Sequence, residues 1–513
     1  VAGRVTSPEF VGRTEQLAVL EAALDRAESG AAAAAFVAGD SGVGKTRLLR
    51  ELEHRATARG ASVLRGDCVA FGAGELPYAP IGGALRGLLR EVGEERFGEL
   101  AGPGRSALAR LVPELGVVAA GEQGPATALA ATGEPLAQAM LFGALRGLLD
   151  RLASDGSVVL VVEDLHWADR STLEFLSSLL RGLRDERLLV VCSYRSDDLH
   201  RRHPLRPFLA EEERRPIVER IDVGSFTLPE LAEQVAGILG TAPDRALVER
   251  LHERTEGNAF FAEELLAASA DATGPVPSSL QEVLTLRLEL LDEDAHAVLR
   301  VAATVGRRTT HALLAAVADL PEPQLLEALR AAIAHQVLVQ DDDGYAFRHA
   351  LLQEAAYADL LPGERTALHV RIAEALASDA SLAAGAAAAE LAHHWRAAHR
   401  PPAALAAYVR AGLEAERIYA FAEANRYFES ALELWDSIDD AEEHAGHSLA
   451  DVVAHAAEDA HVIGDHHRAV GLGREAVQLM DGLGDPVRSA LVRERLGRYL
   501  WKAGDSDRAL TVY

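Results

Sequence analysis

A chain of 513 residues exceeds the size at which one hydrophobic core keeps growing, so about three to five domains of roughly 100–200 residues are expected. Hydrophobic residues at 49% and charged residues at 25% are ordinary globular values and exclude a disordered, collagen-like or fibrous chain. The 51 Lys+Arg against 78 Asp+Glu give a formal charge of −27, which repels a phosphate backbone in bulk and leaves no basic DNA-binding surface visible. The longest apolar runs, Val158–Val162 and Leu188–Cys192, are strand-sized and fall short of the roughly 18 residues a membrane helix needs. Two cysteines cannot build a disulfide framework, and no basic-then-apolar leader opens the chain, so a reducing cytoplasm and no membrane partner are expected. Val1 in place of Met is compatible with a trimmed fragment, a processed start or an alternative start codon. At the other end the pattern of Ala509, Leu510 and Val512 stops at Tyr513 without a cap, so further sequence is expected to follow.

In chain order, Ala34–Ala38 reads as a strand, Gly39–Thr46 as a glycine-containing loop, and Arg47–Arg59 as a helix with Leu48, Leu49, Leu52 and Ala56 on one face, stopped by Gly60. A second strand, Ser62–Arg65, precedes a mostly helical insertion from Asp67 to Gly156, with stripes at Ile81, Leu85, Leu88, Leu89 and at Leu141, Leu145, Leu148, Leu152. The runs Val158–Val162, Leu188–Cys192 and Val218–Val223 alternate with helical segments, the pattern of a parallel sheet covered by helices. Residues 1–225 are therefore expected to form one α/β domain with a parallel sheet. Leu228–Ala268 reads as a small helical bundle, with the Gly- and Pro-containing stretch Asp271–Ser279 as its linker, so that 226–275 forms a helical lid. Residues 276–380 carry helices and then a hairpin, Val337–Gln340 and Tyr345–Arg348 about the turn Asp341-Asp342-Asp343-Gly344, which suggests a winged helix. From 381 to 513 only helical pairs remain. Gly464-Asp465 with Arg468-Ala469 recurs as Gly504-Asp505 with Arg508-Ala509, and Ala424 and Ala431 fall in comparable places of a third pair. The implied architecture is an array resembling tetratricopeptide repeats, although its period of 40 residues exceeds the usual length of about 34.

Gly39-Asp40-Ser41-Gly42-Val43-Gly44-Lys45-Thr46 matches G-x-x-x-x-G-K-[ST] in full, and it lies between a strand and a helix. Such a loop closes its backbone N–H groups around phosphate oxygens and adds the positive end of the following helix. Lys45 would reach the β- and γ-phosphates, and the Thr46 hydroxyl would help hold Mg²⁺; Arg47 follows in the same nucleotide-binding set. Val158–Val162 ends in Glu163-Asp164, two carboxylates where a P-loop site needs one acid for Mg²⁺ and often another to orient the attacking water. Which acid takes which role stays open, since the leading residue of such a pair is usually Asp. A solvated acidic turn is the plainer alternative.

Four further segments, Phe10-Val11-Gly12-Arg13, Glu163-Asp164-Leu165-His166-Trp167-Ala168-Asp169, Tyr194-Arg195-Ser196-Asp197 and Gly257-Asn258-Ala259-Phe260-Phe261, resemble those of the STAND-class signalling ATPases. More closely, essentially the whole chain is similar to the large ATP-binding regulators of the LuxR family of transcription factors. That resemblance implies that the Arg195 strand lies between the P-loop strand and the acidic strand, with Arg195 facing the γ-phosphate as a sensor; a surface arginine is the alternative. It implies that Val11, Gly12 and Arg13 line the adenine and ribose side, where an ordinary loop is the alternative. Ala259 stands where the family usually has Pro, so the resemblance leaves open a nucleotide contact from Gly257–Ala259. His349, in Phe347-Arg348-His349, sits where related switch ATPases place a histidine on the β-phosphate of ADP, and a helix cap is the competing role. The adjacent pairs His393-His394 and His466-His467 lack the i, i+4 spacing of helix-borne metal ligands and read as helix surface; Cys68 and Cys192 read as buried packing.

The function these residues imply is a slow ATPase switch in signal transduction, binding ATP or ADP with Mg²⁺ and self-associating under nucleotide control. An unidentified inducer or protein would bind the repeat array, and DNA would be reached only through a C-terminal domain outside these residues. The competing readings are an AAA+ motor or loader acting on DNA, a repeat scaffold with structural nucleotide, and the ATPase module of a cyclase- or kinase-like signalling protein. The acidic turn Asp341-Asp342-Asp343 disfavours a DNA-gripping wing.

Overall fold

The computed structural model describes residues 6–68, 76–115, 134–201, 203–271, 280–341, 344–383 and 386–512. The linker expected at Asp271–Ser279 and the tip of the acidic turn at 342–343 lie outside the described residues, apart from the helix-ending Asp271 and the strand residue Asp341. The chain folds into two compact units, one of 1–70, 149–168 and 180–384, the other of 71–148, 169–179 and 385–513.

The first unit is built on five strands: β1 (Ala33–Gly39), β2 (Ser62–Asp67), β3 (Val158–Glu163), β4 (Leu188–Arg195) and β5 (Val218–Asp222). They pair in parallel in the order β2-β3-β4-β1-β5. Every residue of β1, β3 and β4 is buried, which is why these strands read as continuous apolar runs rather than alternating ones. The helix Lys45–Ala58 lays Leu48, Leu49, Leu52 and Ala56 on the same core as Val37, Val159, Val161 and Val191. Each such leucine contributes about 1.5–3 kcal/mol by leaving water. Register does the rest: Gly39 is paired with Arg195 and Asp67 with Glu163, so the loop and the charged residues of the motifs emerge side by side at the carboxyl ends of the strands. β4 lies between β3 and β1, the strand order the resemblance implied.

After β5 come three helices, Leu228–Leu239, Arg245–Thr255 and Ala259–Asp271. Thr227 and Glu230 close a capping box on the first, and Leu231, Val235, Val248, Leu251 and Leu265 form a core of their own. Gly257 turns the chain between the second and third helices at φ +74, and a Cβ there would lie 2.1 Å from the Phe226 carbonyl. Gly257→Ala is therefore expected to cost at least about 1–3 kcal/mol of local stability, read as a lowered urea midpoint for unfolding of this bundle.

Farther on, the structure has a strand that sequence reasoning missed, β6 (Arg308–Thr310), followed by β7 (Leu338–Asp341) and β8 (Gly344–Phe347). β7 and β8 form the expected antiparallel hairpin, and β6 pairs with β8 to give the order β6-β8-β7. Three residues are too few to show alternation, and β6 forms because helix Glu293–Val305 ends at Gly306 and delivers it to the hairpin edge. The core is thus a parallel-sheet P-loop α/β domain followed by a mostly helical region.

In the second unit the helices Ala387–Ala397, Pro401–Arg417, Phe421–Trp435, Leu449–Val462, His466–Leu483, Pro486–Lys502 and Ser506–Val512 pack in sequence. The recurring Gly-Asp explains the joints that follow Val462 and Lys502. Gly464 and Gly504 take φ +88 and +86, ending one helix in the left-handed region, and Asp465 and Asp505 then accept hydrogen bonds from the N–H groups of Arg468 and Arg508 to start the next. Ala469 and Ala509 are fully buried, so small residues recur where the helices approach closely. Glu423, on helix Phe421–Trp435, is 2% exposed and accepts from the backbone N–H groups of Arg170 and Ser171 at 2.8 and 3.3 Å and from the Ser171 hydroxyl. It thereby caps the helix that begins at Arg170. Among the described residues no helix is long and apolar enough to cross a membrane.

Candidate nucleotide site

The loop after β1 keeps the shape its glycines allow, with Gly42 at φ +81 and Gly44 at φ +101. Lys45 opens the following helix and is 7% exposed; its Nζ donates to the carbonyls of Gly39 and Asp40 at 2.7 and 2.8 Å. Burial lowers its pKa and Asp164 works against that, while Arg195 adds to it. The Ser41 N–H donates to an Asp197 carboxylate oxygen at 3.2 Å, so an internal anion meets the loop. Asn258 and Phe260 brace it from the helical bundle: the Asn258 amide donates to the Ser41 carbonyl at 2.8 Å, and the Phe260 N–H to the Gly42 carbonyl at 3.0 Å. Thus Gly257–Ala259 reaches the loop itself.

The two acids at the end of β3 have different surroundings. Glu163 is 1% exposed, accepts from the Thr46 hydroxyl at 2.7 Å and pairs with Arg65. Burial pushes its pKa up to about 7 against the opposing pull of Arg65. Asp164 leaves the strand in a left-handed conformation, φ +58, and its N–H donates to the Ser193 hydroxyl at 3.1 Å. Arg307 holds its carboxylate at 2.6 Å. Burial alone would raise the Asp164 pKa, but Arg307, with Arg195 and Lys45, outweighs it and holds the carboxyl below the usual range. The Thr46 hydroxyl and the Glu163 and Asp164 carboxylates are hard oxygen donors, a set whose chemistry suits Mg²⁺.

Arg195 ends β4 with its guanidinium 4.9 Å from the centre of the Trp167 ring, and it is within 3.4 Å of Asp198 and 3.9 Å of Glu354. His166 accepts from the Arg195 N–H at 3.3 Å through Nδ1. Burial, together with Arg195 and Lys45, drives the His166 pKa down to about 3 despite Asp164, so the ring is neutral and serves to place Arg195. His349 caps helix Ala350–Ala358 by accepting from the Leu351 N–H at 3.3 Å, and its ring stacks on Phe260 at 3.9 Å. Desolvation and the charges of Arg195 and Arg307 hold its pKa down to about 3. The capping role is therefore present, beside the loop-bracing Phe260.

The remaining candidates sit at the loop's other flank. Arg13 donates to the Val43 carbonyl at 3.1 Å and lies 4.5 Å over the Phe226 ring. Gly12 turns at φ +63, and its neighbour Val11 is buried in the bundle core with Phe226 and Leu231. Arg47 points to the carbonyls of Ser7 and Glu9 and to Glu263. Sequence reasoning missed Arg65, which alternates out of a strand without a motif, and Arg307, which no local pattern marks. Asp197 was within a quoted motif but carried no assigned role, and for Asn258, within Gly257–Ala259, only a nucleotide contact was left open.

A phosphate-binding loop, a lysine and threonine opening the next helix, and two acids ending the strand two places away define the class: a P-loop NTPase core. Residues 9–191 match the family model for the AAA ATPase domain, so the chain carries an AAA-type P-loop ATPase domain. It is 27% identical over 459 residues to the uncharacterised protein R02095 of Rhizobium meliloti (strain 1021), an alignment that covers 84% of this chain and 43% of the relative. The chain thus spans less than half the length of that curated relative. Among solved structures, a signal transduction ATPase with numerous domains (STAND) protein with a tetratricopeptide repeat sensor, PH0952 of Pyrococcus horikoshii, is similar at TM-score 0.46 and 12% identity over 99% of this chain and 77% of that one. The Aeropyrum pernix ORC1 protein, solved in complex with DNA, is similar at TM-score 0.31 and 16% identity over 68% of this chain and 93% of that one.

Proposed function

We propose that this chain is an ATP-binding, slowly hydrolysing signal-transduction switch, akin to the STAND ATPases and to LuxR-type large ATP-binding regulators. In this reading 1–225 is the ATPase domain, 226–275 its lid, 276–380 a winged-helix-like domain and 381–513 an array of tetratricopeptide-like repeats. The observation that carries it is the gathering of Lys45, Thr46, Glu163, Asp164 and Arg195 at neighbouring strand ends, with residues of the lid and of the β6–β8 region against the same site. ATP's phosphates lie along the loop N–H groups and Lys45, with Val11, Gly12 and Arg13 on the adenine side and Arg195 toward the γ-phosphate. Thr46 and Glu163, hydrogen-bonded to each other at 2.7 Å, would hold Mg²⁺, which when bound would supply positive charge to offset that of the phosphates. Asp164 takes a proton from the attacking water as its oxygen bonds to the γ-phosphorus. The bond to the bridging oxygen then breaks, and ADP leaves with that electron pair.

ATP and ADP shift the switch only as far as they bind its two states differently. His349 and Arg195, both near Lys45, would report the β- and γ-phosphates. Glu423, on the repeat helices, caps the helix starting at Arg170, six residues beyond Asp164 in the chain. Steady-state ATP turnover with and without duplex DNA tests this reading. The expected result is below about 1 per second, under the range of typical enzymes, and indifferent to DNA; fast, DNA-stimulated turnover would favour a motor instead.

A further inference from the structure

Arg307 stands where the helix Glu293–Val305 ends at Gly306, whose φ of +141 suits glycine, and where β6 begins. Its backbone is fixed, since its carbonyl accepts from the Phe347 N–H at 2.9 Å. Its guanidinium Nη1 is 2.6 Å from the Asp164 carboxylate. The next residue, Arg308, pairs with Asp67 and, at 2.9 Å, with Asp341. Asp67 and Glu163 are register partners on β2 and β3, so two consecutive arginines clasp two adjacent strand ends. Glu163 is taken by Arg65 on the neighbouring strand and by the Thr46 hydroxyl; of the two acids, Asp164 is the one ion-paired from outside the parallel sheet. A side chain anchored on a helix end and a sheet ladder keeps such a contact with little loss of entropy, unlike a pair of mobile surface groups.

We propose that Arg307 is a built-in brake on hydrolysis: while its guanidinium holds the Asp164 carboxylate, that acid is withheld from the attacking water. Displacement of the β6–β8 sheet from the strand ends withdraws Arg307 and frees Asp164, which couples opening of the switch to turnover. The inference rests on reading Asp164 as the acid on the water side.

The test uses the full chain with Arg307→Ala and with Arg307→Gln, which keeps most of the side-chain volume. Single-turnover hydrolysis of bound ATP and hydrogen exchange of the 344–347 backbone are measured together. Both variants are expected to hydrolyse about tenfold faster than the parent, equivalent to about 1.4 kcal/mol, with faster exchange at 344–347. Arg308→Ala, which loosens the clasp without touching Asp164, is expected to give a smaller gain in the same direction. Hydrolysis in the parent with no gain in either Arg307 variant overturns the brake alone, and a drop would instead make Arg307 a group that assists the reaction. A parent that fails to bind ATP overturns the functional reading and the brake with it.

Discussion

Lys45→Ala is expected to weaken ATP binding by at least about a hundredfold, which corresponds to the loss of two charge-assisted hydrogen bonds of roughly 1.5–3 kcal/mol each. The measurement is a titration with a fluorescent ATP analogue, run beside a thermal melt. In the structure Lys45 Nζ also ties the loop to the Gly39 and Asp40 carbonyls, so a modest local loss of stability accompanies the substitution. The helices from Ala387 onward belong to a separate compact unit and are expected to retain their circular dichroism. An unchanged affinity would move the nucleotide away from the loop.

Asp164→Asn and Glu163→Gln are expected to separate chemistry from metal binding. Removing a base that accepts the water's proton costs about 10²–10⁴ in rate, so Asp164→Asn should leave ATP affinity near that of the parent and abolish most turnover. Glu163→Gln should instead raise the Mg²⁺ concentration needed for binding, because Glu163 is the acid bonded to the Thr46 hydroxyl at 2.7 Å. ATP titrations at several Mg²⁺ concentrations, paired with turnover, read both effects. Equal losses of affinity in the two variants would contradict the division of roles.

How much of this was legible in the letters depends on how far apart the partners lie. The loop Gly39–Thr46 and the acids Glu163-Asp164 are contiguous motifs, and parallel strand register brings them together without further information, so the parallel-sheet core and the placing of these motifs side by side could be read directly. The Gly-Asp joints of the C-terminal helices were legible for the same reason, since helix ending and helix capping are local events. The different surroundings of Glu163 and Asp164 were not, because they are set by Thr46, 117 positions from Glu163, and by Arg307, 143 positions from Asp164. Strand β6 escaped because three residues carry no periodicity, and Glu423 escaped because a carboxylate on a helix looks solvated until Ser171, 252 positions away, is placed beside it. Asn258 was visible within a motif, but only the fold shows that its amide braces the Ser41 carbonyl.

If the chain is the switch proposed above, the triphosphate changes its assembly state. Multi-angle light scattering of the same preparation with ADP, with ATP and with a non-hydrolysable ATP analogue tests it most directly. Assembly is predicted with the analogue, transiently with ATP and not with ADP. A constant mass under all three, with each nucleotide shown to be bound, would contradict the switch.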